Sequence, residues 1–383
     1  MRIALLSTFG PEVRGISYYS DCLLAALQLR ASLEVVAVDY DKVYPDWLHP
    51  AGKAKIGKTA IRTVHYGKPW TWRADRQQPE LIHLQSWTAV TSLIHLRILT
   101  AARKRGVPTV LTVHNPTSHE KQGLSGRLEQ RCLHLADRIV LHDDCGLESI
   151  PDSCRPKVRI IPHGTEVLEL GEEDLQGVNQ QAPYLLYFGN IRPYKGVELL
   201  LSAWQACADR FPQVSLVVAG QLWQGKTFLS RLTATMLGTA NHSRQILQLA
   251  KDPHLERVEF RLEFIDDQDL DKLIRGARYT IFPYLKFSGH SGAVSRSAAN
   301  GTPVLVSDVG GLPSLAVGAE NIFSAGSEQD LSELLVRKLQ STDIDFDERA
   351  RQLSKARSLS WDHAAELHEK LYQELCAESS AGT

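Results

Sequence analysis

The sequence predicts an α/β protein with parallel sheets, divided into two domains. Three observations predict it. Short apolar runs alternate with helical patterns along the chain, the length of 383 residues exceeds one ordinary core, and the alternation breaks once, after "VRIIPHG" at residues 158–164. A strand can rejoin its own sheet in parallel only through a crossover, so the alternation itself argues for parallel pairing.

The first half supplies the strand segments "RIALLS", "LEVVAVDY", "LIHLQ", "PTVLTVH" and "DRIVLH", and the second "YLLYFGN", "SLVVAGQ", "VEFRLEF", "YTIFPY" and "PVLVSDVGG". Most are continuous apolar runs, the pattern of strands buried on both faces. Between the two sets, "EVLELGEEDLQGVNQQAP" is acidic and Gln/Asn-rich and lacks an apolar period, which marks a loop beside a hinge. The expected domains are therefore 1–164 and 165–360, and the amphipathic stretch "SWDHAAELHEKLYQEL" opens a C-terminal segment, 361–383, expected to pack back towards the first domain. No fixed-period repeat or low-complexity tract occurs.

Charge excludes some functions. Lys and Arg number 43 against 44 Asp and Glu, a formal net charge of −1, so no global field recruits nucleic acid. The apolar run in "MRIALLSTFG" is too short for a signal or a membrane span, and a cytoplasmic protein is expected. Six cysteines lie scattered with no CxxC pair, which fits reduced thiols and gives no support to a metal site.

Function is concentrated at strand-to-helix turns. In "YFGNIRPYKGVELLLSAW", Arg192 and Lys195 precede Gly196 and a helix whose apolar stripe is Leu200, Ala203, Trp204, Cys207 and Phe211. The first turn of a helix offers unpartnered N–H groups and a partial positive charge, and two full charges join it here. An isolated cationic pair would be read as solvated. At the carboxyl end of a parallel strand, the usual ligand position, the pair favours an anion such as a diphosphate. A second such end is "PYLKFSGHSGAVSRSAANGTPVLVSDVGG". There Ser291 is expected to cap a helix starting near Gly292, Gly301 to stop it, and the small residues Ser288, Gly289, Ser291, Gly292 and Ala293 to admit a ligand close to the backbone, unless they serve only tight packing. A third turn carries Gly15. Gly10 and Gly15 do not make GxGxxG, and "GQLWQGKT" lacks P-loop spacing, so neither a nicotinamide cofactor nor a P-loop is indicated.

On these segments the chain resembles the retaining glycosyltransferases of family four. "FGNIRPYKGVELLLSAW" is similar to the family's FxGRxxxxKG-type segment, "ADRIVLHDD" and "VRIIPHG" to the region before its interdomain linker, and "ANGTPVLVSDVGGLP" to the segment after its carboxylate motif. The resemblance implies the GT-B architecture, two Rossmann-like domains facing across a cleft. It also implies a nucleotide-sugar donor held mainly by the C-terminal domain and a glycan or lipid-linked acceptor held mainly by the N-terminal one. Hexosyl transfer of the kind used in polysaccharide biosynthesis would follow, with no cofactor and no metal requirement. Carried over by position, Arg192 and Lys195 match the basic pair on the donor diphosphate, Gly15 the glycine of the first N-domain loop, and His114 a histidine facing the donor sugar. Without the resemblance, a strand-end histidine would be read as structural.

The chain departs from the family where the E-x7-E glutamates would fall, on Ser288 and Arg296. Retention in the family is attributed to front-face attack assisted by the leaving phosphate, so the loss does not itself imply inactivity. Arg296 has two readings, a phosphate ligand or a partner of an acid such as Asp308. Ser314 stands where the family more often has glutamate. The segment 53–76 carries Lys53, Lys55, Lys58, Arg62, Lys68, Arg73 and Arg76 with Trp70 and Trp72 against Asp75 alone. It reads as a solvated loop with a local tryptophan cluster, as a peripheral contact with an anionic membrane or, more remotely, with nucleic acid. "HDD" at 142–144 stays unassigned, because adjacent strand side chains point to opposite faces. Beside the transferase stand three competitors. A non-catalytic nucleotide-sugar-binding relative is one, and an epimerase is disfavoured by the missing carboxylates. A dehydrogenase is disfavoured by the missing fingerprint.

Overall fold

The structure, a computed structural model, describes residues 1–10, 16–41, 62–65, 78–88, 91–115, 124–170, 183–222, 239–255, 257–287, 289–340 and 346–381. The contacts divide the chain into unit 1, Met1–Gly164 with Ser288–His290 and Leu359–Thr383, and unit 2, Thr165–Phe287 with Ser291–Ser358.

Unit 1 contains β1 (Arg2–Ser7), α1 (Ile16–Gln28), β2 (Glu34–Asp41), β3 (Arg62–His65), β4 (Leu81–Ser86), α2 (Ser92–Lys104), β5 (Thr109–Val113), α3 (Leu124–Leu135), β6 (Arg138–Leu141) and β7 (Val158–Ile160). The seven strands pair in parallel in the order β3-β2-β1-β4-β5-β6-β7. The chain moves outward in one direction after β1 and in the other after β4, so the topological switch lies between those two strands.

Unit 2 repeats the scheme with β8 (Tyr184–Phe188), α4 (Val197–Gln205), β9 (Ser215–Ala219), α5 (Thr239–Leu249), β10 (Val258–Arg261), α6 (Asp267–Gly276), β11 (Tyr279–Phe282), α7 (Gly292–Ala299), β12 (Val304–Ser307), β13 (Ile322–Phe323), α8 (Glu328–Leu339) and α9 (Phe346–Ser358). The strand order is β10-β9-β8-β11-β12-β13, again parallel, with its switch between β8 and β11. Helix starts follow local chemistry: Asp266 accepts the Asp269 N–H at 3.0 Å, and Ser327 that of Asp330 at 3.1 Å. A buried polar knot joins α8, α9 and the sheet. Glu348 takes the Tyr279 hydroxyl, the Asn321 amide and the Lys338 ammonium, each at 2.8 Å.

The chain then re-enters unit 1 as α10 (Trp361–Ala381), which packs on α1. Strand alternation sorts the core of unit 1 onto two faces. Ile3 and Leu5 of β1 meet α1 and α10, whereas Ala4 and Leu6 pack with Ile94, Ile98, Cys132 and Leu133 of α2 and α3. The crossover rule gives the same sorting, since β4–α2–β5–α3–β6 advances in one direction and β1–α1–β2 in the other.

Two local expectations are corrected. The stripe through Phe211 does not lie on one helix: α4 stops at Gln205, and Cys207 and Phe211 are buried by the short 3-10 turn Ala208–Arg210 that follows. Ser291 does occupy the N-cap of α7, but its hydroxyl lies 3.1 Å from that of Tyr284 and makes no capping bond.

Candidate functional site

In unit 2 the chemistry collects at the carboxyl ends of β8 and β11, on either side of the switch. β8 runs into Gly189, and the turn Pro193–Lys195 delivers Gly196 as the N-cap of α4 in a left-handed conformation, φ +66°. A Cβ on Gly196 would sit 2.1 Å from the Pro283 carbonyl oxygen, so glycine here lets the loop after β8 lie directly on the loop after β11. The Leu285 N–H donates to the Tyr194 carbonyl at 2.7 Å and fastens the same two loops. Gly196 thus earns its place through packing, and the cationic turn is held rigidly.

Lys195 lies with its ammonium 4.9 Å from the Tyr284 ring centroid. A Cβ on Gly189 would reach 3.5 Å from Lys195 Nζ and 3.8 Å from the Ala293 Cβ, which places the lysine beside the start of α7. Burial lowers its proton affinity; the Tyr194 phenol opposes that shift and Arg192 adds to it. Burial lowers that of Arg192 as well. Two desolvated cations therefore share one turn, and no described carboxylate forms an ion pair with Lys195. Beyond Gly292 there is open space on the side where a Cβ would point. The Ser291 side chain leaves the first-turn N–H groups of α7 uncapped. The arrangement suits an anionic group with several oxygens.

Arg296 does not take part. Its Nε donates to Asp271 at 2.8 Å, Nη1 to Asp267 at 2.6 Å, and Nη2 to the Asp267 carbonyl at 2.7 Å. Burial would lower its proton affinity, but the two carboxylates raise it. These bonds tie α7 to α6, as the second of the two readings of Arg296 expects. The acids are Asp267 and Asp271, whereas Asp308 accepts the Ala325 N–H at 2.8 Å. Gly15, Ser288 and the segment 53–76 apart from β3 lie outside the described residues.

At the carboxyl edge of unit 1, His114 joins a group that the sequence reading missed. The Tyr19 ring lies 4.6, 5.1, 4.9 and 5.2 Å from those of His114, His142, His163 and Trp361. His163 stacks on His290 at 4.1 Å. Hydrogen bonds run through the group. His142 Nδ1 lies 3.0 Å from the Ile161 carbonyl, His142 Nε2 3.1 Å from His114 Nδ1, and His114 Nε2 2.7 Å from the Gln85 amide. Gln85 in turn lies 3.1 Å from His83 Nε2, whose Nδ1 is 2.6 Å from the Tyr372 hydroxyl.

Burial holds these rings neutral, with His142 lowered to about 4 and His114 well below its usual range. A carbonyl only accepts, so His142 carries its proton on Nδ1 and donates it to Ile161. His114 Nε2 faces the Gln85 carbonyl oxygen at 2.7 Å, and an amide oxygen only accepts, so His114 carries its proton on Nε2 and donates it there. Both ring nitrogens of His114 have partners within unit 1, Gln85 at Nε2 and His142 at Nδ1. A signal for the cluster did exist. "LTVH" and "IVLH" each place a histidine one residue past a strand, and "IIPH" places one three residues past β7. Parallel register brings such residues side by side.

Among the described residues, no group of three or more His, Cys, Asp or Glu is placed to hold a metal ion, and no helix is long and apolar enough to cross a membrane.

Comparison with known proteins places this geometry. Residues 172–358 match the family described as Glycosyl transferases group 1, and residues 13–167 match Glycosyltransferase Family 4. Among curated relatives, a D-inositol 3-phosphate glycosyltransferase of Nocardioides sp. is 24% identical over 342 residues, covering 80% of this chain and 70% of that protein. A protein of the same name from Corynebacterium jeikeium is 26% identical over 268 residues, 64% of this chain and 59% of that one. The chain thus spans 59% to 70% of these relatives' length. Sucrose-phosphate synthase from Thermosynechococcus elongatus superposes with a TM-score of 0.73 at 19% identity, covering 98% of this chain and 99% of that one. Anabaena HepE in complex with UDP superposes with a TM-score of 0.70 at 15% identity, covering 98% and 100%. Likeness at such identity shows the fold, the GT-B class of two Rossmann-like domains.

Proposed function

Because the chain belongs to family four of the glycosyltransferases, we propose that it moves a sugar, with retention, from a nucleoside-diphosphate sugar to a hydroxyl of a glycan or lipid-linked acceptor. The observation that carries the donor half is the turn at Arg192 and Lys195, two desolvated cations beside the open start of α7 at the switch of unit 2. In the transfer, the bond from the anomeric carbon to the diphosphate breaks and a bond to the acceptor oxygen forms. The acceptor proton passes to the departing phosphate. Negative charge grows on the leaving diphosphate, and preorganised cations and helix N–H groups lower the energy of that state more than of the ground state. With side-chain cations in that role, donor binding is expected with or without magnesium. HepE, which superposes on this chain, is solved with UDP, and that supports a nucleoside diphosphate in this role.

The test is to incubate the protein with an α-linked donor and follow the anomeric proton of the product by NMR. An α-linked product supports the reading; a β-linked product refutes retention. A second reading, a nucleotide-sugar-binding relative without catalysis, draws on Arg296, whose engagement by Asp267 and Asp271 leaves no carboxylate at that position of α7. It predicts donor binding with no product at any acceptor.

A further inference from the structure

The described charges of unit 1 are segregated between the two faces of its sheet. On one face, α2 and α3 pack against each other, and their exposed positions form two stripes. Leu93, Arg97, Thr100, Arg103 and Lys104 lie on α2, and Arg127, Gln130, Arg131 and His134 on α3. α2 contains no acid, and the one acid of α3, Glu129, is 8% exposed. None of Arg97, Arg103, Lys104, Arg127 and Arg131 has a carboxylate partner among the described residues. The opposite face is acidic. There α10 carries Asp362, Glu366, Glu369, Glu374 and Glu378 against Lys370, and it draws Arg30 and Arg138 into ion pairs at 2.6 and 2.5 Å. A chain of nearly zero net charge therefore carries, among the described residues, five cations without carboxylate partners along α2 and α3.

We propose that the α2–α3 face docks unit 1 on an anionic lipid bilayer. Unpaired cations are attracted by the negative surface potential of such a membrane, each contributing a factor of about five in partitioning. Leu93, 57% exposed on the same stripe as Arg97, supplies an apolar side chain able to enter the headgroup region. Among the described residues, α2 and α3 carry no Phe, Tyr or Trp on which bases could stack, which disfavours single-stranded nucleic acid as the occupant. This surface differs from the segment 53–76, and the inference does not depend on the donor reading.

The test sediments the full chain with vesicles of phosphatidylcholine and phosphatidylglycerol in equal parts, and with phosphatidylcholine alone, at about 0.05 M and about 0.5 M salt. Binding is expected to the anionic vesicles only, with release at high salt. R97E/R103E/R127E should lower partitioning by at least ~100-fold, and R131Q alone by about fivefold. Thermal unfolding and nucleoside-diphosphate binding by these variants should match the wild type, and K370E on the opposite face should sediment normally. Absence of wild-type binding to anionic vesicles, or unchanged sedimentation of both arginine variants, overturns the proposal. So does tighter binding to a single-stranded oligonucleotide than to vesicles, which would assign the face to nucleic acid.

Discussion

Replacing Lys195 with methionine removes a charge while keeping an unbranched stem against Tyr284. Unit charges about 4 Å apart at an effective dielectric constant of about 20 attract by about 4 kcal/mol, an upper figure for the lysine–phosphate contact. Because both partners lose water on meeting, a charge-assisted hydrogen bond nets about 1.5–3 kcal/mol, so K195M should weaken nucleoside-diphosphate binding by about 10- to 150-fold. Stability should move differently. Lys195 is disfavoured as a cation by burial and by Arg192, so its loss should leave the melting temperature unchanged or higher. Since its proton affinity is lowered in the folded chain, the charged form costs stability below the folded pKa, and that cost disappears as pH rises through it. Bound diphosphate favours the cation, so wild-type affinity should fall as pH rises through the same range, and K195M should lose that dependence. Calorimetric titration across pH, with a melting curve for each sample, reads all three. Affinity within twofold of wild type, or a loss of affinity explained by lost stability, would refute the anion-site argument.

Other residues give separate tests. Gly196→Ala adds a Cβ 2.1 Å from the Pro283 oxygen at φ +66°, and urea unfolding should show a loss of at least ~3 kcal/mol. Glu348→Ala strands Lys338, Tyr279 and Asn321 in the interior of unit 2 and should cost about 3–5 kcal/mol in the same assay, with Glu348→Gln retaining part of it. Arg296→Ala should cost only about 1 kcal/mol, because its carboxylate partners are partly solvated, and should leave nucleotide affinity within twofold. Asp21, whose carboxylate accepts the Gly10 N–H at 3.2 Å, has a pKa raised by burial to about 6. A raised carboxyl contributes stability below the unfolded value that is lost as pH rises through about 6. Asp21→Asn should therefore gain about 1 kcal/mol at pH 7, after discounting for partial exposure, and nothing near pH 3.

Ten strands could be read from the sequence because most are buried on both faces and appear as unbroken apolar runs. The three that escaped, β3, β7 and β13, all lie at sheet edges. Edge strands are short and half-solvated, so "RTVH", "VRI" and "IF" carry too little pattern to stand out. The cationic turn was legible because its residues are contiguous. Arg296 was not, since its partners Asp267 and Asp271 come from another helix, and a helix position alone does not reveal which neighbour faces it. The histidine relay escaped for the same reason: His83, His114 and His142 become neighbours only through the parallel register of β4, β5 and β6.

The most direct measurement is calorimetric titration of the wild-type protein with UDP, GDP and ADP in parallel, with and without magnesium. Selective binding of one of the three is expected, carried by the Arg192–Lys195 turn and retained without magnesium. A well-folded sample that binds none of them would contradict the donor site and the transferase reading built on it.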